Sequence, residues 1–147
     1  MLSVENLGGE LTGNELNGVV SETLKGFKRV ASLAPFKPLG GIQLPLKPSL
    51  SALSFILSAG LEPSSNLVKR QKEFQKHFQF VKTRSTSIGR LFDAVAATLN
   101  VCLENTYQGE APQKLEALVD PRSIEGLDSP FKFTITEDTK RGMLNID

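Results

Sequence analysis

Apolar residues recur at helical spacing through the middle of the chain, and the clearest such segment covers residues 88–99. Its apolar positions form one stripe along the side of a helix: Ile88, Leu91, Phe92, Val95, Ala96 and Leu99. The hydroxyl-bearing run Ser85-Thr86-Ser87 comes directly before it and can cap its first turn. The pattern therefore predicts an amphipathic helix whose apolar stripe is buried and anchors the core.

Further helices are predicted on both sides of this segment. Residues 49–59 and 64–81 carry apolar side chains every three or four positions. A shorter helix should begin near Pro112 and stop before Asp120, because proline suits a first helical turn. Prolines and glycines crowd residues 35–48, which predicts a long irregular loop.

Strand patterns lie towards the two ends of the chain. Residues 27–33 combine apolar and β-branched side chains, and residues 131–135 alternate apolar with polar ones, as a half-buried strand does. Residues 143–146 can pair back onto the second of these as a hairpin. Residues 1–24 predict loop with one edge strand. We predict a mixed α/β (α+β) fold forming a single domain over residues 1–147, with three or four helices packed against a small, partly antiparallel sheet.

Composition and charge argue against several kinds of protein. A formal net charge of +1 gives no basic surface for nucleic acid or membrane headgroups. No apolar run approaches the ~20 residues of a membrane span, and no secretory pattern opens the sequence, so we expect a cytoplasmic protein. The single cysteine and single histidine, Cys102 and His77, cannot build a zinc site alone. We expect no metal held by this chain alone, a buried Cys102 and a surface His77.

Arg90 and Asp93 are the first candidates for chemistry. They lie three residues apart on the predicted helix 88–99, off its apolar stripe. The N-terminus of a helix attracts phosphate, and Gly89 would let a ligand approach closely. The alternative is an exposed ion pair within one helix, which contributes only a few tenths of a kcal/mol.

Two segments, residues 25–41 and 85–99, resemble the HypF family of carbamoyltransferases, which mature nickel–iron hydrogenases. The more specific of the two is the run Ser85-Thr-Ser-Ile-Gly-Arg-Leu-Phe-Asp-Ala-Val-Ala-Ala97. The resemblance implies nucleotide contacts for residues of that run: Ser87, Gly89, Arg90 and Asp93. Lys28 and Arg29 match the family's pair after Gly-Phe, which implies contacts with an anionic substrate. Residues 107–118 resemble the next family signature and add Gly109 and Glu116 to the implied nucleotide site.

The resemblance also implies a fold and a reaction. It places the chain in a subdomain of the actin-like, Kae1-type nucleotide-binding fold. In that family, carbamoyl phosphate and ATP give a carbamoyl adenylate. The carbamoyl group then passes to a cysteine of a partner maturation protein. ATP or another adenine nucleotide, carbamoyl phosphate and the cysteine-bearing acceptor are therefore the ligands and partner that the resemblance implies.

Several positions depart from the family pattern. Ile42 stands where the family has Asp after Gly-Gly, and Lys114 stands where it usually has Glu. Glu110 and Gln108 look like an exchange of the family's Glu and Gln. The family's metal-binding and phosphate-loop motifs are absent from this sequence, so no catalytic residue is assigned. The alternative hypothesis is a catalytically degenerate module that keeps the fold and binds a nucleotide or a protein.

Overall fold

A mixed β-sheet and a group of α-helices make up the described part of this computed structural model, which comprises residues 2–3, 19–23, 26–120, 122, 132, 134–139 and 143–146. The sheet has five strands in the order β1-β2-β3-β5-β4 among these residues. The strands are β1 (Leu2–Ser3), β2 (Val19–Thr23), β3 (Gly26–Leu33), β4 (Ile135–Asp138) and β5 (Met143–Ile146). The helices are α1 (Pro48–Ser58), α2 (Ser65–His77), α3 (Ile88–Thr98) and α4 (Glu110–Glu116). The predicted mixed α/β fold with a small sheet and three or four helices is confirmed.

The sheet joins the two ends of the sequence. Strands β1, β2 and β3 pair antiparallel, and β3 then pairs parallel with β5, where Ala31 lies opposite Leu144. Strands β4 and β5 form an antiparallel hairpin, and β5 has the predicted bounds. The strand predicted over residues 131–135 is displaced towards the C-terminus, since β4 shares only Ile135 with it and Lys132 and Thr134 are not in a strand. The sequence predicts that the apolar residues Phe131, Phe133 and Ile135 form the buried side of a strand. Phe131 and Phe133 lie outside the described residues, so Ile135 alone tests this prediction. Ile135 itself is 55% exposed.

Local sequence explains where the helices begin and end. Pro48 occupies the first turn of α1, and the Ser64 hydroxyl accepts a hydrogen bond from the Leu67 backbone N–H at the start of α2. Helix α2 is shorter than predicted. It ends at His77 and continues as one 3-10 turn, Phe78–Phe80. It is also kinked at Gln71, whose backbone is not helical.

The Pro- and Gly-rich segment is more regular than the sequence predicted. Residues Gly41–Leu46 form a 3-10 helix, preceded by Gly40 in the left-handed region at a φ of 86°. A β-carbon on Gly40 would lie 2.5 Å from the Leu50 Cδ1 atom. Glycine is therefore required there by both backbone conformation and packing.

Helix α3 begins at the predicted residue and ends one residue earlier than predicted, and its buried face shares only Ala96 with the predicted apolar stripe. The buried residues are Asp93, Ala94, Ala96 and Ala97, whereas Phe92, Val95 and Leu99 are 46%, 39% and 59% exposed. Ala94 and Ala97 pack against Ala52 of α1, and Ala96 packs with Cys102 and Ala111. The prediction that this stripe anchors the core was wrong for Phe92, Val95 and Leu99; of its other members Ala96 is buried, and Ile88 and Leu91 are half-buried. We call Phe92, Val95 and Leu99 the outer face of α3.

Contacts group the chain into two compact units. The first takes its members from residues 1–35, 86–88 and 128–147 and contains the sheet. The second takes its members from residues 36–85 and 89–127 and contains α1, α2, α4 and nearly all of α3. The prediction of a single domain over residues 1–147 stays a prediction. None of the helices in the described ranges is long and apolar enough to cross a membrane.

Candidate functional site

Arg90 and Asp93 form an ion pair that is largely withdrawn from solvent. The Arg90 Nη1 atom lies 2.7 Å from the Asp93 Oδ2 atom, and the two side chains are 22% and 1% exposed. An exposed pair of this spacing would contribute little, but a carboxylate at 1% exposure depends on its partner. The alternative of a surface ion pair is therefore wrong. The pair fixes the guanidinium at the start of α3, with about a fifth of its side chain in contact with solvent.

The segment before α3 is held by backbone hydrogen bonds. The Ser85 N–H donates to the Phe36 carbonyl and the Phe36 N–H donates to the Ser85 carbonyl, both at 2.9 Å. Ser87 follows as a half-buried residue directly before the helix, in the first unit. Gly89, Arg90 and Asp93 belong to the second unit. Of the predicted nucleotide residues, the structure thus brings Arg90 and Asp93 into direct contact.

Helix α4 places the other two predicted residues at its opposite ends. Gly109 precedes the helix at a φ of 85°, and Glu116 is its last residue and is exposed. Ala111 in the first turn of α4 is fully buried with Ala96 of α3. This packing places the start of α4 against α3 and leaves Glu116 at the far end of a seven-residue helix.

Two departures from the family signature contact each other. The Lys114 Nζ atom lies 2.6 Å from the Glu110 Oε1 atom, one helical turn away. Glu110 also accepts hydrogen bonds from the Thr106 N–H at 2.5 Å and the Thr106 hydroxyl at 2.8 Å. Lys114 and these donors lower the pKa of Glu110 to about 2. The charge reversal at residue 114 is thus matched by the carboxylate at residue 110, and both groups are engaged within α4 and its cap.

Asn105 is a structural residue that the sequence reasoning missed. Its Nδ2 atom donates to the Pro45 carbonyl at 2.8 Å, and its backbone N–H donates to the Leu46 carbonyl at 2.8 Å. Its Oδ1 atom accepts from the Ala111 N–H at 3.0 Å. Asn105 therefore ties the 3-10 helix to the start of α4. The only signal in the sequence was a polar residue shortly before a helix.

The remaining candidates are two basic residues of β3 and the single cysteine. Lys28 and Arg29 both belong to β3, opposite Ser21 and Val20 in register, and hence to the first unit. Cys102 is buried, as predicted, and its thiol donates to the Glu104 carbonyl at 3.2 Å. Burial raises the pKa of the Cys102 thiol, which suits a structural cysteine.

Two features of the described residues fall outside the predicted site. A cleft of about 610 Å³ is lined by Leu57, Gln75, Lys76, His77, Phe78, Gln79 and Phe80. None of these is a predicted site residue, although the exposure of His77 confirms its prediction as a surface residue. Within the ranges that the structure describes, no three His, Cys, Asp or Glu side chains are grouped so that they could hold a metal ion.

The chain is similar over most of its length to part of a known carbamoyltransferase. Residues 17–146 match the family described as carbamoyltransferase, Kae1-like domain, second subdomain. The carbamoyltransferase HypF of Rhodobacter capsulatus is 38% identical over 100 residues, which cover 64% of this chain and 14% of that protein. A protein of Methanocaldococcus jannaschii, named "Probable carbamoyltransferase HypF", is 32% identical over 131 residues, or 82% of this chain and 17% of that protein.

A solved structure gives the same result. A full-length HypF, crystallised in a phosphate- and nucleotide-bound form, superposes with a TM-score of 0.64 at 25% identity. The match covers 88% of this chain and 17% of that one. The chain thus spans about one sixth of the length of the proteins it matches. It belongs to the HypF carbamoyltransferase family and corresponds to the second subdomain of the Kae1-like domain.

Proposed function

We propose that this chain is the second-subdomain part of a HypF-type carbamoyltransferase and contributes nucleotide contacts through the start of α3. The observation that carries this proposal is the Arg90–Asp93 pair, which lies inside the family signature and has its carboxylate buried. A buried carboxylate holds the guanidinium in one orientation. Less conformational entropy is then lost when an anionic ligand binds, because the side chain is already ordered.

The chemistry of the guanidinium fits a phosphate or a ribose. Its N–H donors form a planar fork that can make two parallel hydrogen bonds to oxygen atoms, which a lysine ammonium cannot reproduce. Solvent reaches 22% of the Arg90 side chain. Ser87 and Gly89 are the proposed neighbours of that contact, since they flank the first residue of α3 in the sequence. Gly109 and Glu116 remain proposed members of the site from the second signature, and Lys28 and Arg29 proposed anion contacts.

The reaction proposed for the whole protein is transfer of a carbamoyl group. Carbamoyl phosphate and ATP would give a carbamoyl adenylate, and the carbamoyl group would pass to a cysteine of a partner protein in nickel–iron hydrogenase maturation. This chain would supply one wall of the nucleotide cleft. The metal-binding and phosphate-binding groups would come from outside this segment, which corresponds to 14–17% of the length of the matched proteins.

The second candidate function is a degenerate binding module, and two observations favour it. Ile42, at the position of the family's Asp, is 93% exposed and offers no hydrogen bond to a ligand. Glu110 and Lys114 neutralise each other 2.6 Å apart, so the second signature uses its charges internally. Such a module would keep the fold and lack catalysis.

An NMR titration of the chain with an adenine nucleotide separates the two functions. We expect saturable shifts of the Gly89 and Arg90 amides with a roughly millimolar Kd, because only one wall of the cleft is supplied. Arg90→Lys keeps a positive charge beside Asp93, so the fold should hold while the shifts are lost. Arg84→Lys, at an exposed arginine before the helix, is the matched control and should leave them unchanged. Absence of saturable shifts in the wild-type chain would favour the degenerate module, and shifts that survive Arg90→Lys would remove Arg90 from the site.

A further inference from the structure

The cleft of about 610 Å³ lies between the end of α1 and the end of α2, within the second unit. Leu57 of α1 lines one side, and residues 75–80, which are the end of α2 and the 3-10 turn after it, form the rest of the lining. The Lys37 backbone N–H donates to the Ser58 hydroxyl at 2.9 Å, which holds residue 37 next to the end of α1. Sites for small molecules have volumes of about 300–1,000 Å³, so the cleft has the size of such a site.

Two phenylalanines supply most of the apolar lining. Phe78 is half-buried, and the Lys37 Nζ atom lies 4.9 Å from the centroid of its ring. Phe80 is 70% exposed, which leaves most of a phenyl ring in contact with water. A flat apolar group stacked on Phe80 would remove that surface from water. The cleft therefore favours a ligand with a planar apolar body.

Positive charge is concentrated around the cleft. Lys76 and His77 line it, Lys37 lies beside the aromatic lining, and none of the lining residues that the structure describes is acidic. Neither lysine forms an ion pair with a described carboxylate, and Glu73 is the only acidic residue of α2. Residues 72–84 carry four basic side chains and one acidic side chain, whereas the whole chain has a net charge of +1. This local excess of positive charge attracts an anion.

Two amide side chains add hydrogen-bonding groups to the lining. Gln75 is half-buried and Gln79 is exposed, and each amide has an oxygen acceptor and an NH₂ group with two donors. A few polar groups in an apolar lining fix the orientation of a bound molecule. Together with the lysines, these amides suit a ligand that carries oxygen atoms and negative charge.

We propose that this cleft binds a small organic anion, with its planar apolar body on Phe80 and its carboxylate or phosphate at Lys37 and Lys76. A small molecule fits better than a protein surface, because a stable protein partner covers about 20–30 residues on each side, whereas the described lining comprises seven residues. The lining does not include Arg90, so the site is independent of the proposed nucleotide contact. Aromatic acids and nucleotides share this chemistry, and a probe of each kind distinguishes them.

The imidazole of His77 reports on the cleft, because His77 lines it and is the single histidine of the chain. Its proton NMR signal is followed at constant pH while the chain is titrated with 1-naphthoate or with 1-naphthamide, which has the same rings and no charge. We expect a saturable shift with 1-naphthoate and about threefold or more weaker binding of 1-naphthamide, as exposed charge pairs contribute modestly. Lys76→Gln should weaken 1-naphthoate about threefold and leave 1-naphthamide unchanged. Lys72→Gln, at an exposed position outside the lining, is the matched control and should change neither affinity.

A second pair of variants tests the aromatic contact. Phe80→Ser should weaken both probes, whereas Leu118→Ser, at a 62% exposed apolar position outside the lining, should weaken neither. The proposal would be overturned by the absence of a saturable shift with 1-naphthoate, by equal affinities for the two probes, or by binding that Phe80→Ser leaves intact.

Adenosine monophosphate decides between the two sources of the anion. Displacement of 1-naphthoate by the nucleotide would support a nucleotide as the ligand, and binding of 1-naphthoate that the nucleotide does not affect would support a non-nucleotide acid. Because the reporter is His77, failure of the expected shifts at Gly89 and Arg90 would leave this result unaffected.

Discussion

The inverted orientation of α3 makes a quantitative prediction about two core-type substitutions. Leu53 on α1 is fully buried at 0% exposure, whereas Phe92 on α3 is 46% exposed. Sequence patterning alone ranks Phe92 as the more important residue, because it lies in the middle of the apolar stripe and has the larger side chain. The structure predicts the reverse order.

The expected magnitudes follow from burial. Leu53→Ala removes a buried isobutyl group and leaves a cavity, which costs about 3–5 kcal/mol in well-packed sites. Phe92→Ala loses only the buried part of the ring, about half, and leaves an open groove that water fills. Full burial of such a side chain contributes about 1.5–3 kcal/mol, so the loss should be about 1 kcal/mol.

Urea unfolding of the two variants, followed by far-UV circular dichroism, measures both free energies of unfolding. The four described α-helices belong to the second unit, except for Ile88 at the start of α3. The helical signal therefore reports the unfolding of the unit that contains both Leu53 and Phe92. Equal m-values in the two variants would show that the comparison is between like transitions. A loss of ~3 kcal/mol or more for Phe92→Ala, or under ~1 kcal/mol for Leu53→Ala, would refute the reasoning from burial.

Three further predictions concern the ion pairs and the glycine turn. Arg90→Ala should lower the free energy of unfolding by ~3 kcal/mol because it removes the guanidinium that pairs with a carboxylate only 1% exposed, and adding Asp93→Leu should recover much of the loss; no recovery in the double variant in urea unfolding would contradict this. The pKa of Glu110 is lowered from 4.5 to about 2, so its stabilising contribution should be complete above pH 4.5 and disappear as the pH falls towards 2. The difference in stability between the wild-type chain and Glu110→Gln should therefore shrink over that range, and a constant difference would refute the assignment. Gly40→Ala should destabilise the chain by more than ~1 kcal/mol, because the added β-carbon meets Leu50 and the residue must also keep a positive φ. Gly41→Ala should cost less, since its φ is also positive but its added β-carbon meets no atom within 4 Å. Equal effects of the two substitutions in thermal unfolding would contradict the packing argument.

The sequence by itself determined the local elements and the family. Strands β3 and β5 and, to within one residue, the bounds of α1 and α3 follow from patterns of neighbouring residues, which act through backbone preference and short-range capping. The position of β4 does not, since the strand was predicted over residues 131–135 and lies at Ile135–Asp138. The run from Ser85 to Ala97 is specific enough to indicate the family by its residues alone, and the matches over residues 17–146 confirm it. The Arg90–Asp93 spacing was likewise readable, since residues three apart meet on a helix.

Tertiary structure decided which surfaces those elements present. The sequence could not reveal the kink in α2, because it accompanies a buried hydrogen bond from the Gln71 Nε2 atom to the Ser49 hydroxyl at 2.8 Å, across 22 residues. The burial of Asp93 and the contact between Lys114 and Glu110 likewise depend on how side chains pack around α3 and α4. The inverted α3 has the same kind of cause. Periodicity shows which positions are apolar but not which partner each face meets, so alanines could take the place against α1 while the larger residues were left facing outward.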